Sequence, residues 1–423
     1  MSRQHRPMLA LSLIALVMTL LLASGAFYVA RGADPIKIGF GMALTGGLSA
    51  NGKPALLAMQ IWKDDVNKKG GLLGRQVELV FYDDQTNPST VPGIYSKLLD
   101  VDKVDFIVSG YGTNLIAPLM PIAMERKLTL VGIFGLANNE KYKYPNYFQI
   151  SPNGPDPEIS TPQGFFELAA KQSPKPQTVA IVGADAEYPQ NALVGSRELI
   201  KRFGFKTVYD KTYPPSTVDY TPIVRAIKAT NPDVVFIASY PPDSVGMLRA
   251  IHEVGLSPKM VGGGMVGLQF TSVMTSMGSM LNGIVNYDFW APESTMMFPG
   301  IKEFFAQYQP RAQKESMDPL GYYLPPYSYA AMQVLGQAIE ATKGLDQQKV
   351  ADYIRATEFS TIVGKVKFGK NGEWAQGRTL MVQYQKIQGN SVDQFRGPGK
   401  KVVLFPDEFK SGTIIYPYSA AKN

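Results

Sequence analysis

The alternation of short apolar strands with amphipathic helices is the feature that most constrains the fold of this 423-residue chain. Strands alternating with helices of about ten to fifteen residues indicate βαβ units on parallel sheets. Two such series occur, and together they predict an α/β fold of two Rossmann-like lobes. The predicted strands are residues 36–40, 77–82, 104–108, 128–132, 178–182, 206–209, 233–238 and 259–261.

The last third of the chain does not form a third series. It contains predicted helices and strands that we expect to return to the first two lobes, so that several crossovers join them. The predicted organisation is a first lobe of residues 33–154 plus about 288–375, and a second lobe of residues 155–287 plus about 376–423. A cleft between two such lobes is a common place for a ligand.

Composition excludes several classes of function. The net charge of +7 comes from scattered residues without a Lys/Arg block, so we expect no nucleic-acid partner. The chain has no cysteine, and its histidines are His5 and His252, which excludes disulfides, thiol chemistry and Cys- or His-rich metal sites. We expect His252 to be a surface residue of a helix, and we expect no cofactor.

Residues 1–32 are predicted to be a signal peptide that directs the protein to the periplasm. Arg3 and Arg6 precede an uncharged stretch, Met8–Ala23, and Ala30 and Gly32 suit cleavage before residue 33. The apolar stretch extends to residue 29, so an uncleaved membrane anchor is the alternative.

The stretch Phe106–Pro118 is the best candidate for a ligand-binding loop. A short apolar run predicts a buried strand, and the small polar residues of Ser109–Asn114 follow it. Thr113 or Asn114 is the predicted N-cap of the next helix. Hydroxyls and N–H groups at such a position suit a carboxylate, although an ordinary strand-to-helix turn is the alternative.

The sequence gives little support to catalysis. Asp83 and Asp84 are adjacent and predicted to form a turn at a strand end, and Gly41–Gly52 lacks the spacing of a phosphate-binding loop. No serine lies in a G-x-S-x-G setting. We therefore expect a protein that is not an enzyme.

Seven short stretches, in their order and spacing, carry a resemblance to a known family: residues 44–46, 65–71, 82–84, 246–249, 254–256, 323–331 and 364–372. The chain resembles the periplasmic ligand-binding proteins of ABC transporters, in the branched-chain amino acid-binding family of type I fold, and the resemblance covers nearly all of the mature chain. It implies a monomeric Venus-flytrap protein that captures a small carboxylate solute and delivers it to a membrane permease. A membrane-anchored ligand-sensing module with the same fold is the alternative.

The resemblance also implies where a ligand binds. The carboxylate-binding loop falls on the first candidate stretch, a second loop follows the fourth strand, and aromatic residues come from the other lobe. The predicted ligand-binding residues are Asn51, Gly112, Thr113, Asn114, Phe134, Gly135, Leu136, Tyr188, Tyr240, Gly264 and Met265.

Two positions depart from the family pattern. Leu136 or Ala137 stands where relatives commonly have a threonine, and Gly264 stands where relatives place an acidic residue that neutralises the ligand's ammonium group. An ammonium buried without an opposite charge or several acceptors costs several kcal/mol. We therefore predict an amine-free carboxylic acid with an aromatic or apolar body. A branched-chain or aromatic amino acid, held by some other acceptor, is the alternative.

Overall fold

The computed structural model describes residues 34–422, so the predicted signal peptide lies outside the described residues. The strands are β1 (Ile36–Met42), β2 (Val77–Asp83), β3 (Phe106–Tyr111), β4 (Leu130–Ile133), β5 (Tyr147–Gln149), β6 (Thr178–Ala184), β7 (Lys206–Tyr213), β8 (Val234–Ser239), β9 (Met260–Met265), β10 (Val285–Asp288), β11 (Glu358–Thr361), β12 (Gly364–Lys367), β13 (Leu380–Tyr384) and β14 (Lys401–Phe405).

The helices cover both faces of the sheets and are separated from the strands by short loops. They are α1 (Ser49–Lys68), α2 (Val91–Asp100), α3 (Thr113–Ile116), α4 (Met120–Glu125), α5 (Asn138–Tyr142), α6 (Pro157–Ala170), α7 (Glu187–Phe203), α8 (Thr221–Ala229), α9 (Pro241–Val254), α10 (Thr271–Met277), α11 (Ile301–Lys314), α12 (Pro325–Thr342) and α13 (Gln347–Ala356). No α-helix within residues 34–422 combines the length and apolar content needed to cross a membrane.

Two sheets organise the molecule. The first has five strands in the order β2-β1-β3-β4-β5, all parallel. The second has seven strands in the order β14-β13-β10-β9-β8-β6-β7. Its strands β7, β6, β8, β9 and β10 are parallel, whereas β13 and β14 are antiparallel to their neighbours. We call each sheet, with the helices that pack on it, the first and the second lobe.

The strands at the centre of both sheets are buried along their whole length. Every residue of β3, β8 and β9 is buried, which is the pattern of a parallel sheet covered by helices on both faces. After β10 the chain returns to the first lobe, where α12 packs against α1 and β4. It then enters the second sheet again at β13. The predicted lobe boundaries remain our proposal for how the chain is divided.

The loop after β3 differs from the sequence prediction. β3 continues to Tyr111, so that Ser109 lies inside the strand rather than in a loop. The buried Ser109 hydroxyl has a hydrogen-bond partner there, because it accepts a hydrogen bond from the N–H of Ile133 at 2.7 Å. The residue at the helix N-cap is Gly112, not Thr113 or Asn114, and its φ of 102° favours glycine.

Candidate functional site

A small cavity lies where the carboxyl ends of strands from the two sheets meet. Residues from both lobes line it, and its volume of about 30 Å³ is room for one or two water molecules. The lining residues are Tyr111, Gly112, Thr113, Phe134, Gly135, Leu136, Ser151, Asn153, Thr161, Tyr188, Tyr240, Val266, Tyr287, Phe289 and Tyr323.

Thr113 joins the two loops of the first lobe. Its hydroxyl oxygen accepts a hydrogen bond from the N–H of Leu136 at 3.0 Å, and its carbonyl accepts one from the Asn138 side chain at 3.0 Å. A hydroxyl has one proton in addition to its acceptor sites. The Thr113 hydroxyl therefore holds the second loop in place and retains a proton that a ligand can accept.

The loop after β4 has an unusual backbone. Phe134 and Ala137 have φ angles of 49° and 59°, a region that residues with a side chain rarely adopt. Between them, Gly135 leaves no space for a side chain, since a Cβ atom there would lie 1.9 Å from the Asn138 side-chain oxygen. The Gly135 carbonyl accepts hydrogen bonds from the side chains of Ser151 and Asn153 at 3.2 and 3.1 Å. This loop is held rigidly in a strained conformation.

The ring of Phe134 fills one side of the cavity, where it packs against three other aromatic rings. Its centroid lies 4.8 Å from that of Phe289, 5.2 Å from that of Tyr323 and 5.3 Å from that of Tyr327. The first two rings are stacked on it and the third meets it edge-on. The cavity is therefore small because a side chain of the protein occupies a pocket with aromatic walls.

Tyrosine hydroxyls provide most of the polar atoms on the other side. Tyr188 donates a hydrogen bond to the Gly264 carbonyl at 3.0 Å, and the hydroxyls of Tyr287 and Tyr323 lie 3.2 Å apart. Burial raises the pKa of the hydroxyls of Tyr111, Tyr188, Tyr287 and Tyr323 above the ordinary value. These groups are therefore neutral hydrogen-bond donors at physiological pH.

The lining of the cavity carries no ionisable acid or base other than tyrosine. None of its residues is Asp, Glu, Lys, Arg or His. The nearby carboxylates of Glu187 and Asp243 lie outside this lining, and Asp243 already accepts hydrogen bonds from Tyr213 and Tyr220. The site is therefore electrically neutral and suits a ligand whose polar end is bound by hydrogen bonds.

Two hydrogen bonds hold the lobes together beside the cavity. The hydroxyl of Tyr240, in the second lobe, donates to the side-chain oxygen of Asn114 at 3.2 Å. The side chain of Asn191, in α7, donates to the carbonyl of Leu136 at 2.8 Å. The cleft is closed in this structure.

Most of the residues predicted from the sequence meet at this cavity. Asn114 lies at its edge, where it binds Tyr240. Asn51, Gly264 and Met265 are buried but are not part of the lining. The amide oxygen and nitrogen of the Asn51 side chain have no hydrogen-bond partner among residues 34–422. The predicted residues that do line the cavity are Gly112, Thr113, Phe134, Gly135, Leu136, Tyr188 and Tyr240.

Sequence reasoning missed about half of the lining. Tyr323 lies in the stretch 323–331 that carries the family resemblance, so that stretch could have indicated it. Tyr287 and Phe289 lie in and just after β10, a strand of only four residues that the sequence pattern did not reveal. The missed lining residues are Tyr111, Ser151, Asn153, Thr161, Val266, Tyr287, Phe289 and Tyr323.

Comparison with known proteins agrees with this architecture. The family model described as periplasmic binding protein matches residues 35–389. The chain is similar to Leu/Ile/Val-binding protein homolog 8 of Brucella abortus strain 2308, with 24% identity over 394 residues, covering 91% of this chain and 93% of the relative.

Two solved structures of similar fold come from proteins with different described ligands. A leucine-binding protein from Thermotoga maritima superimposes with a TM-score of 0.72 at 21% identity, covering 88% of this chain and 99% of the other. A solute-binding protein of an ABC transporter from Rhodopseudomonas palustris HaA2, in complex with p-hydroxybenzoic acid, gives a TM-score of 0.72 at 21% identity, covering 84% and 95%. The type I fold predicted from the sequence is confirmed, and the chain belongs to the periplasmic binding protein family.

Proposed function

We propose that the protein captures an amine-free carboxylic acid with an aromatic body in the interlobe cleft and delivers it to the permease of an ABC importer. The observation that carries this proposal is the absence of any Asp or Glu among the residues that line the cavity. The ammonium group of an amino acid would have no opposite charge there. Burying it would cost several kcal/mol.

The same lining offers donors for a carboxylate. The N–H groups of Thr113 and Gly135 form no hydrogen bond with any other residue of the chain between 34 and 422, and the Thr113 hydroxyl has its proton available. The hydrogen bond from Leu136 to Thr113 brings these donors onto one side of the cavity. Several N–H and O–H donors can hold a carboxylate in its ionised form without a cation.

The aromatic walls suit the body of such an acid. A cavity that holds benzene has a volume of about 150 Å³, whereas the present cavity has about 30 Å³. Binding therefore requires the lobes to open and the ring of Phe134 to leave its place beside Phe289 and Tyr323. The ring of the ligand would then take over the stacking contacts.

Closure of the lobes would complete the binding step. The ligand first contacts the loops of the first lobe, and the second lobe then brings Tyr188 and Tyr240 over it. Because the closed form makes these extra contacts, the ligand shifts the population towards closure. A closed, loaded protein with a predicted signal peptide fits the role of a periplasmic component of an importer. The similar Rhodopseudomonas protein is described as a solute-binding protein of an ABC transporter.

A branched-chain amino acid is the second candidate. It is favoured by the similarity to the leucine-binding protein of Thermotoga maritima and to the Leu/Ile/Val-binding homologue. In that case the ammonium group would have to be bound by carbonyl and hydroxyl oxygens, such as those of Ser151 and Tyr287.

A thermal-shift screen of the mature protein would test the proposal. The panel contains benzoate, 4-hydroxybenzoate, leucine, isoleucine and phenylalanine, each at millimolar concentration. A ligand that binds only the native state raises its stability by RT ln(1 + [L]/Kd), so micromolar binding gives a clear shift in Tm. We expect the benzoates to raise Tm and the amino acids to leave it unchanged. A shift with leucine or isoleucine alone would refute the proposal.

A further inference from the structure

A large groove lies on another part of the molecule, between α11, the β11–β12 hairpin and the segments 374–378 and 406–409. Its volume is about 1140 Å³, and it takes residues from both lobes. We propose that this groove is a second ligand-binding site, which binds a small organic monoanion with an apolar body at Arg378. This inference does not depend on the ligand proposed for the interlobe cleft.

Arg378 lies in the wall of the groove as a cation that has no anionic partner among residues 34–422. It is 7% exposed. Six other arginines form ion pairs with Asp or Glu within residues 34–422, but Arg378 is not one of them. Three aromatic rings surround its guanidinium carbon, at centroid distances of 4.7 Å for Phe298, 5.0 Å for Trp374 and 5.7 Å for Phe409. Burial of an uncompensated charge of this kind is costly.

Hydrogen bonds within the described chain satisfy only part of the guanidinium. Its Nη2 donates to the Val363 carbonyl at 2.5 Å and to the Tyr327 hydroxyl at 3.2 Å. Its Nε is buried and has no partner among residues 34–422. An arginine has five N–H donors. The aromatic rings offset part of the charge burial, but they give no acceptor to the remaining donors, whereas a carboxylate would.

The unpaired guanidinium of Arg378 sets the charge of the ligand, because the charged side chains of the groove otherwise balance. Asp65, Glu303, Glu358 and Glu408 line the groove together with Lys69, Lys365, Lys367 and Arg378. Lys365 forms an ion pair with Glu358 at 3.6 Å and binds Ser360, and Lys367 binds the Ala356 carbonyl. One negative charge on the ligand matches Arg378, whereas additional negative charges would meet the acidic side chains of the groove. The aromatic rings around Arg378 provide contact surface for an apolar body.

The groove and the interlobe cavity are distinct, but they are connected through Tyr327. Its hydroxyl accepts the hydrogen bond from Arg378, and its ring meets Phe134 edge-on. Variants of each site are therefore needed to tell binding in the groove from binding in the cleft.

The experiment is calorimetry of the mature protein with octanoate, an apolar monoanion, and with octylammonium as the control of opposite charge. We expect octanoate to bind and octylammonium not to bind. Arg378→Gln should weaken octanoate binding by at least tenfold, in line with the loss of a charge-assisted hydrogen bond. Glu408→Gln, an exposed change in the groove, should tighten it by about two- to fivefold, because it removes a repelling charge.

A variant of the cleft separates this site from the one proposed above. Thr113→Val should leave octanoate binding unchanged if octanoate binds in the groove. Loss of binding in Thr113→Val, together with wild-type binding in Arg378→Gln and Glu408→Gln, would place octanoate in the cleft and overturn the inference. Absence of octanoate binding to the wild-type protein would overturn it as well, whatever the cleft ligand proves to be.

Discussion

Thr113→Val is the substitution that most directly probes the carboxylate end of the proposed cleft. Valine has nearly the same shape as threonine but lacks the hydroxyl. Thr113 is buried, and its hydroxyl accepts the N–H of Leu136 at 3.0 Å. The change therefore removes one donor to the ligand and one acceptor of a loop N–H without creating a cavity.

The two losses have separate magnitudes. A buried N–H without an acceptor costs about 1–3 kcal/mol, so the free energy of unfolding should fall by that amount. Since native proteins have about 5–15 kcal/mol of stability, the variant stays folded. Loss of the hydrogen bond to the ligand's carboxylate costs a similar amount, about 1–3 kcal/mol, which corresponds to a roughly 5- to 150-fold weaker affinity.

Calorimetry with 4-hydroxybenzoate and urea denaturation measure the two effects independently. Thr113→Ser is the matched control because it keeps the hydroxyl, and we expect it to retain most of the affinity. Wild-type affinity in Thr113→Val, or equal losses in the valine and serine variants, would refute the assignment of this hydroxyl to ligand binding.

Three further predictions follow from other parts of the structure. Removing the hydrogen bond between the lobes with Asn114→Ala or Tyr240→Phe should weaken ligand binding by about two- to tenfold, and calorimetry of the double variant should show no additional loss; additive losses would contradict the pairing. Phe134→Ala should raise the affinity for 2-naphthoate relative to benzoate, because the ring no longer fills the cavity; an unchanged ratio of the two Kd values would count against this role. Burial raises the pKa of the Asp84 carboxyl to about 6, so the folded form holds its proton while the unfolded form ionises, and stability should fall as pH rises from about 4 to 6. Urea denaturation across that range should show a smaller fall in Asp84→Asn; an identical fall would contradict the prediction.

The alternation of strands and helices was sufficient to predict the fold, because strands such as β6 and β8 consist mostly of apolar residues. Two short strands escaped prediction: β5 has only three residues, and β10, with the sequence VNYD, is not an apolar run. The extension of β3 through Ser109 was also missed. A serine can be buried in this strand because its hydroxyl accepts a hydrogen bond from the N–H of Ile133 in β4. A local sequence pattern does not predict hydrogen bonds between distant residues.

The sequence predicted the loops of the first lobe that line the cavity, but not most of the residues that line its other side. The loops with Gly112 and Phe134 follow recognisable strands, so their position at the carboxyl ends of the sheet could be inferred. The other side of the cavity is formed by Tyr287, Phe289 and Tyr323. The return of the chain between the lobes was predicted, but the residues that face the cavity there were not, because packing across the whole molecule rather than local sequence determines them.

The central claim is that the cleft binds a carboxylate and rejects an α-ammonium group. The most direct measurement is calorimetry of the mature protein with two matched pairs of ligands that differ only in the amine: 3-phenylpropanoate with phenylalanine, and 4-methylpentanoate with leucine. We expect the amine-free acid to bind at least about tenfold more tightly in the aromatic pair, because an unpaired buried ammonium costs more than 1.4 kcal/mol, the equivalent of a factor of ten. Tighter binding of phenylalanine and leucine than of their amine-free partners would contradict the account.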